Sequence, residues 1–138
     1  MASINYFEEK IKFKLPHPRK TAKWIKNAVE KENSNIDQIN YIFCNDDYLA
    51  QINKQYLNHT SLTDIVTFDE GEPDALKGDI FISVERVKDN AKKFNVTFED
   101  EIHRVMIHGV LHLIGYKDKT TRSRSIMRDK ENTYLILR

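Results

Sequence analysis

The residues best suited to chemistry lie in the run His108-Gly109-Val110-Leu111-His112-Leu113-Ile114-Gly115-Tyr116-Lys117-Asp118, an HxxxHxxGxxD pattern. Histidines four residues apart stand one above the other on a helix face, so both imidazoles can converge on one ion. Gly115, three residues past the second histidine, can end the helix in a left-handed conformation and turn the chain so that Asp118 reaches the same ion. A helical histidine pair alone is often just satisfied polar surface. The glycine and the acid at these offsets tip the reading to one Zn2+ per chain, held by His108, His112 and Asp118. Three protein ligands leave a fourth position for water of lowered pKa, as in a catalytic zinc rather than a closed structural one.

Helical zinc proteases carry a glutamate directly after the first histidine, as general base. Here that residue is Gly109, which can neither take a proton nor return it. Proteolysis is disfavoured, whereas phosphodiester cleavage can draw much of its stabilisation from metal charge without an adjacent carboxylate. Glu101, two turns before His108, is read as an acceptor behind a ligand with a supporting catalytic role, or as the partner of Arg104. His103 is off the ligand face by helical phase and is assigned to the surface. Asp64 and Asp79 are placed at strand ends, to shape a cleft or cap turns.

Elements that would position these groups follow from periodicity. Residues 3–14 suggest one or two short edge strands. Pro18 opens a helix to about residue 31 with Thr21/Ala22, Trp24/Ile25 and Ala28/Val29 as its stripe. Ile36 to Cys44 reads as a strand, and Asn45 or Asp46 caps a helix with Leu49, Ile52 and Tyr56 inward. Residues 57–63 are a polar connection. Two strands, Ile65–Phe68 and Ile80–Ile82, flank an acidic loop over 69–79. Ser83 caps a helix with Val84, Val87, Ala91 and Phe94 inward. Thr97 to Asp100 resembles a capping box and opens the motif helix. A last helix from about Thr121 packs Ile126/Met127, Tyr134 and Leu137. Strands early and consecutive helices late predict an α+β domain with a mixed sheet of about four strands.

At 40% hydrophobic content, 138 residues suit one domain over 1–138 with a core of its own. Cys44, the single cysteine, falls in a strand-like run and is expected to be a buried thiol. No stretch is long and apolar enough for a membrane span, and the start lacks the pattern of a signal peptide, so a cytoplasmic protein is expected. The net charge of +1 hides an uneven distribution. Residues 1–31 and 117–138 together carry +9, and residues 32–116 carry −8. Termini folded to one side would form a phosphate-attracting surface, although such segregation is also common on ordinary solvated helix faces.

HGVLHLIGYKD resembles the HGxLHLxGYDH signature of the YbeY family, metal-dependent endoribonucleases of ribosomal RNA maturation and ribosome quality control. Leu62-Thr63-Asp64-Ile65-Val66-Thr67-Phe68 is similar to that family's PTDVLSF segment, and Lys77-Gly78-Asp79-Ile80-Phe81-Ile82-Ser83 to its LGDIxIS segment. Asn53 and Tyr56 fit its NxxYR helix end, and Glu101, Met127 and Glu131 fall at its spacings. The resemblance covers roughly residues 40–135. It implies a zincin-like fold and cleavage of single-stranded ribosomal RNA, with ribosomal or assembly proteins choosing the cut site.

Two departures stand out. Asp118 replaces the family's third histidine and Lys117 its aspartate; a carboxylate ligand lowers the site's charge and makes the metal a weaker Lewis acid. Leu57 replaces the family's arginine, a role that Lys54 or His59 would take, with Lys117, Lys119 and Arg122 as further substrate contacts. A small metallopeptidase and a non-catalytic ribosome-assembly protein with a structural metal are the rival readings.

Overall fold

Period-two burial decides which face of each strand meets the helices. The computed structural model describes residues 2–57 and 63–138. In chain order these form β1 (Ser3–Glu9), α1 (Pro18–Lys31), β2 (Ile36–Cys44), α2 (Asp46–Leu57), β3 (Ile65–Asp69), β4 (Leu76–Ser83), α3 (Val84–Lys93), α4 (Phe98–Ile114) and α5 (Thr121–Ile136). Ile39, Tyr41 and Phe43 of β2 and Leu76, Ile80 and Ile82 of β4 are buried in one core with α1, α3, α4 and α5. On the other face, α2 seals a smaller core of Cys44, Leu49 and Val66. Burial and the neighbouring carboxylates of Asp46, Glu85 and Glu9 push the Cys44 thiol up to about 12, so it acts as a small apolar group.

The sheet order is β1-β2-β4-β3; β1, β2 and β4 run parallel, and β3 is antiparallel to β4. The α+β class and four-strand mixed sheet agree with the sequence reading. The parallel β1-α1-β2 crossover is an added feature that the element order did not reveal. Strands β3 and β4 extend further than expected, which shortens the acidic loop and puts Asp79 inside β4 rather than at its end. There it accepts a hydrogen bond from Asn40 (3.0 Å), which in turn accepts from Asn5 (3.1 Å). These three residues are in register across β1, β2 and β4, so Asp79 belongs to a cross-strand polar ladder rather than a cleft.

The caps follow the sequence closely. Asn45 Oδ1 accepts from the Tyr48 amide, Ser83 Oγ from Arg86 and Thr97 Oγ1 from Asp100, so each satisfies an orphan donor at a helix start. The stripes are narrower than predicted. Tyr56, Phe94, Ile126 and Leu137 are exposed. Phe94 is the C-cap of α3, where the chain leaves the helix before the ring can turn inward. Only Met127, Glu131 and Tyr134 are buried along α5, a single i, i+4, i+7 row that leaves Ile126 and Leu137 outside.

Helix α4 occupies the middle of the helical layer, with Ile102, Met106, Ile107, Val110 and Leu111 buried. The Tyr41 hydroxyl donates to the Met106 carbonyl (3.0 Å), pinning α4 to β2. Gly109 permits the close approach at its centre, since a Cβ there would lie 3.0 Å from Ile65 Cδ1 and 3.1 Å from Ile80 Cγ2. Alongside, the Trp24 indole donates to the Tyr134 carbonyl (2.7 Å), which sets α1 against α5. Among the described residues no helix is long and apolar enough to cross a membrane.

Candidate metal centre

With most of its circumference buried, α4 turns His108 and His112 out along its one open edge. At its end, the Gly115 amide donates to the His112 carbonyl and the Tyr116 amide to the Leu111 carbonyl (3.0 Å), a Schellman-type stop. Gly115 has φ +127°, a conformation that L side chains rarely adopt, so glycine is required by the backbone itself. The turn returns Asp118 to the histidines. Its Oδ2 lies 3.4 Å from His108 Nε2 and 3.2 Å from His112 Nε2, and one donor atom from each residue falls within 4.8 Å of the others. The fold thus brings the three residues of the sequence motif together.

The inner nitrogens are already engaged. His112 Nδ1 is 2.9 Å from the Tyr116 carbonyl, which only accepts, so Nδ1 carries the hydrogen and Nε2 presents its lone pair to the cluster. His108 Nδ1 is 2.6 Å from Glu131 Oε2. Burial pushes the Glu131 carboxyl up, but its bonds to His108 and Arg104 outweigh this and hold it below the usual range. Burial likewise draws the His108 imidazole down, while Glu131, Asp118 and Asp64 more than reverse it. Two imidazoles fixed in one tautomer by a carboxylate and a carbonyl, beside the Asp118 carboxylate, form a donor set that fits zinc.

Two sequence expectations are corrected here. The acceptor behind His108 is Glu131 of α5, not Glu101, and Arg104 also pairs with Glu131 (2.9 Å). A signal was present: Glu131 is a carboxylate in the narrow buried row of α5. His103 is off the ligand face but is buried, 5.4 Å from the Trp24 ring by centroid and 2.9 Å from Arg138. The α1–α5 seam covers it.

A second layer supports Tyr116. The Glu32 carboxylate, at the end of α1, accepts from the hydroxyls of Tyr116 and Tyr134 and from Lys130 Nζ (3.0 Å). The carbonyl that orients His112 is therefore anchored through its own side chain to α1 and α5.

Two cavities share His108 and Asp118. One, of about 370 Å³, runs between α3, α4 and α5 and includes Asp64, Glu101, Arg124 and Arg128. Burial raises the pKa of both Asp64 and Glu101. The other, of about 490 Å³, opens toward β3 and is bounded by Asn53, Thr67, His112 and Lys119. Of the predicted substrate contacts, Lys119 reaches this second cavity. Lys54, Lys117 and Arg122 are exposed and border neither, and His59 lies outside the described residues. Arg124 and Arg128 belong to the basic C-terminal stretch that the charge pattern marks as phosphate-attracting, and Asn53 to the family-like helix end; charge and spacing alone do not tell that these sides of α5 and α2 face the histidines.

The family model described as Endoribonuclease YbeY matches residues 3–136. Endoribonuclease YbeY of Flavobacterium psychrophilum is 48% identical over 137 residues, which cover 99% of this chain and 96% of that protein. The Endoribonuclease YbeY of Karelsulcia muelleri is 52% identical over 132 residues, covering 96% and 93%. The solution structure of TM1509 from Thermotoga maritima superposes with a TM-score of 0.69 at 28% identity, over 96% of this chain and 87% of that one. With the likeness running through the whole sheet, the motif helix and the turn to Asp118, the chain belongs to the YbeY endoribonuclease family.

Proposed function

We propose that this protein is a zinc-dependent endoribonuclease that cleaves single-stranded ribosomal RNA in the cytoplasm, during rRNA maturation and ribosome quality control. The observation that carries the reading is the convergence of His108 Nε2, His112 Nε2 and Asp118 Oδ2, with both Nδ1 atoms already engaged. His108, His112 and Asp118 would hold the ion. A zinc bound there would supply Lewis-acid charge that offsets negative charge developing on the oxygens of a phosphodiester. Lys119, at the edge of the histidine cavity, would attract the RNA backbone. Asp64 and Glu101, which line the neighbouring cavity and whose carboxyls burial pushes up, would be the groups to exchange protons there. Ribosomal or assembly proteins would direct the cut.

The peptidase rival is weakened by packing. The residue after His108 faces Ile65 and Ile80, where a glutamate side chain has no room and would bury its charge. The expected result is one zinc per chain in untagged protein by elemental analysis. His108→Ala should lose zinc and rRNA cleavage together; purified His108→Ala retaining full cleavage would overturn the mechanism.

A further inference from the structure

On the reading of this site as a ribonuclease centre, we infer that the cavity between α3, α4 and α5 is a nucleotide subsite beside the scissile bond. In it Phe94 stacks one unpaired base, while Arg124 and Arg128 hold that nucleotide's phosphate. Several observations converge. Phe94 lines the cavity yet remains 54% exposed and belongs to neither core, so its ring is available at the mouth. Lys93 Nζ lies over one face of the ring, 5.8 Å from its centroid, which leaves the opposite face for a base and adds positive charge beside it.

Arg124 and Arg128 are one turn apart on α5 and both line the cavity. The Arg124 guanidinium meets only neutral acceptors among the described residues, the Lys119 carbonyl and the Thr121 hydroxyl. Arg128 reaches Glu131 at 3.9 Å, a carboxylate already bonded to Arg104 and His108. Both arginines therefore present charge that an incoming anion can use.

Carboxylates line the cavity as well. Asp64, Glu101, Asp118 and Glu131 all contribute to the cavity. The Arg124 and Arg128 guanidiniums attract a phosphate, so a nucleotide enters with its phosphate on α5 and its base toward Phe94. Continuity sets the place along the strand. Because His108 and Asp118 border both cavities, a chain crossing the ligand cluster occupies this one on one side and the Lys119 cavity on the other. Base stacking on an aromatic ring tolerates any base but needs it unpaired, so this subsite selects single strands without selecting sequence.

The test uses wild-type zinc protein, Phe94→Ala, Phe94→Trp and Arg124→Ala/Arg128→Ala, with short single-stranded RNA oligonucleotides, with and without an abasic residue beside the cut. Affinity is read by fluorescence anisotropy against salt, alongside KM and kcat. Phe94→Ala should raise KM and Kd roughly 5- to 100-fold with kcat little changed, as expected for loss of one stacked base, and Phe94→Trp should restore binding. The abasic oligonucleotide should weaken binding to wild type but not further weaken binding to Phe94→Ala. The arginine double variant should lower the slope of log affinity against log salt by roughly 0.7 for each phosphate that it no longer neutralises, a slope that Phe94→Ala leaves alone. Wild type that cleaves RNA beside Phe94 and arginine variants with unchanged KM, Kd and salt slope overturns the subsite alone. Wild type that neither binds nor cleaves single-stranded RNA overturns the ribonuclease reading itself, and the subsite with it.

Discussion

The two histidines of the ligand cluster are oriented by different means. His112 takes its Nδ1 partner from the backbone four residues on, at Tyr116, as soon as Gly115 turns the chain. His108 takes its partner from a side chain 23 residues away, on a helix that must first dock against α4. One half of the site is therefore made by local geometry and the other by packing. The His112 half should survive changes on α5 that leave the Glu32 anchor intact, whereas the His108 half should follow Glu131 and the α4–α5 contact.

The sharpest challenge to this contrast is Glu131→Ala, which leaves His108 Nδ1–H without its acceptor and the Arg104 guanidinium with Asn132 Oδ1 in place of its carboxylate partner. Breaking a buried charged pair costs roughly 3–5 kcal/mol, and the lower end applies because Arg104 is partly exposed. Losing the group that orients a metal-binding histidine lowers metal affinity roughly 10- to 100-fold. Urea unfolding and zinc competition against a chelator read the two effects, and Glu131→Gln, which keeps an acceptor, should recover much of the zinc affinity. Wild-type zinc affinity in Glu131→Ala would end the contrast.

Gly115→Ala attacks the other half. A Cβ at Gly115 meets nothing within 4 Å, so the cost is backbone strain at positive φ, about 1–2 kcal/mol. Zinc affinity should fall through His112 and Asp118, and an added Glu131→Ala change should lower it further, since the two act on different ligands.

Glu32→Gln probes the anchor behind Tyr116 by pH. Burial pushes the Glu32 carboxyl up, but Tyr116, Tyr134 and Lys130 together hold it below its ordinary 4.5. A folded value below the unfolded one means that its stabilisation is complete above about 4.5 and fades as pH falls through the lowered value. Glu32→Gln should lower Tm at pH 7 and flatten the acid side of a Tm-against-pH curve. An acid limb as steep as that of wild type would remove Glu32 from the account. The smallest effect is expected from Thr97→Ala, which removes a cap at the far end of α4. It should cost about 1 kcal/mol by thermal or urea unfolding and leave zinc affinity unchanged.

Much of the site was legible in the chain because its parts are local. The i, i+4 histidines, the positive-φ glycine and the acid three residues later are one helix end, and their convergence follows from helical phase and one turn. The strands, the caps at Ser83 and Thr97 and the α+β class were legible for the same reason: period and capping chemistry act over a few residues.

What escaped was set by distance in sequence. Glu131 as the His108 partner, the burial of His103 under the α1–α5 seam and the placing of Asp79 in a ladder with Asn40 all depend on which elements become neighbours. Sequence alone determined that two imidazoles and a carboxylate would meet at the end of one helix. Only the tertiary structure decided which carboxylate would stand behind the first imidazole and why no base could follow it. Partners more than a turn apart are chosen by packing, and packing turned residue 109 against Ile65 and Ile80 rather than toward the site.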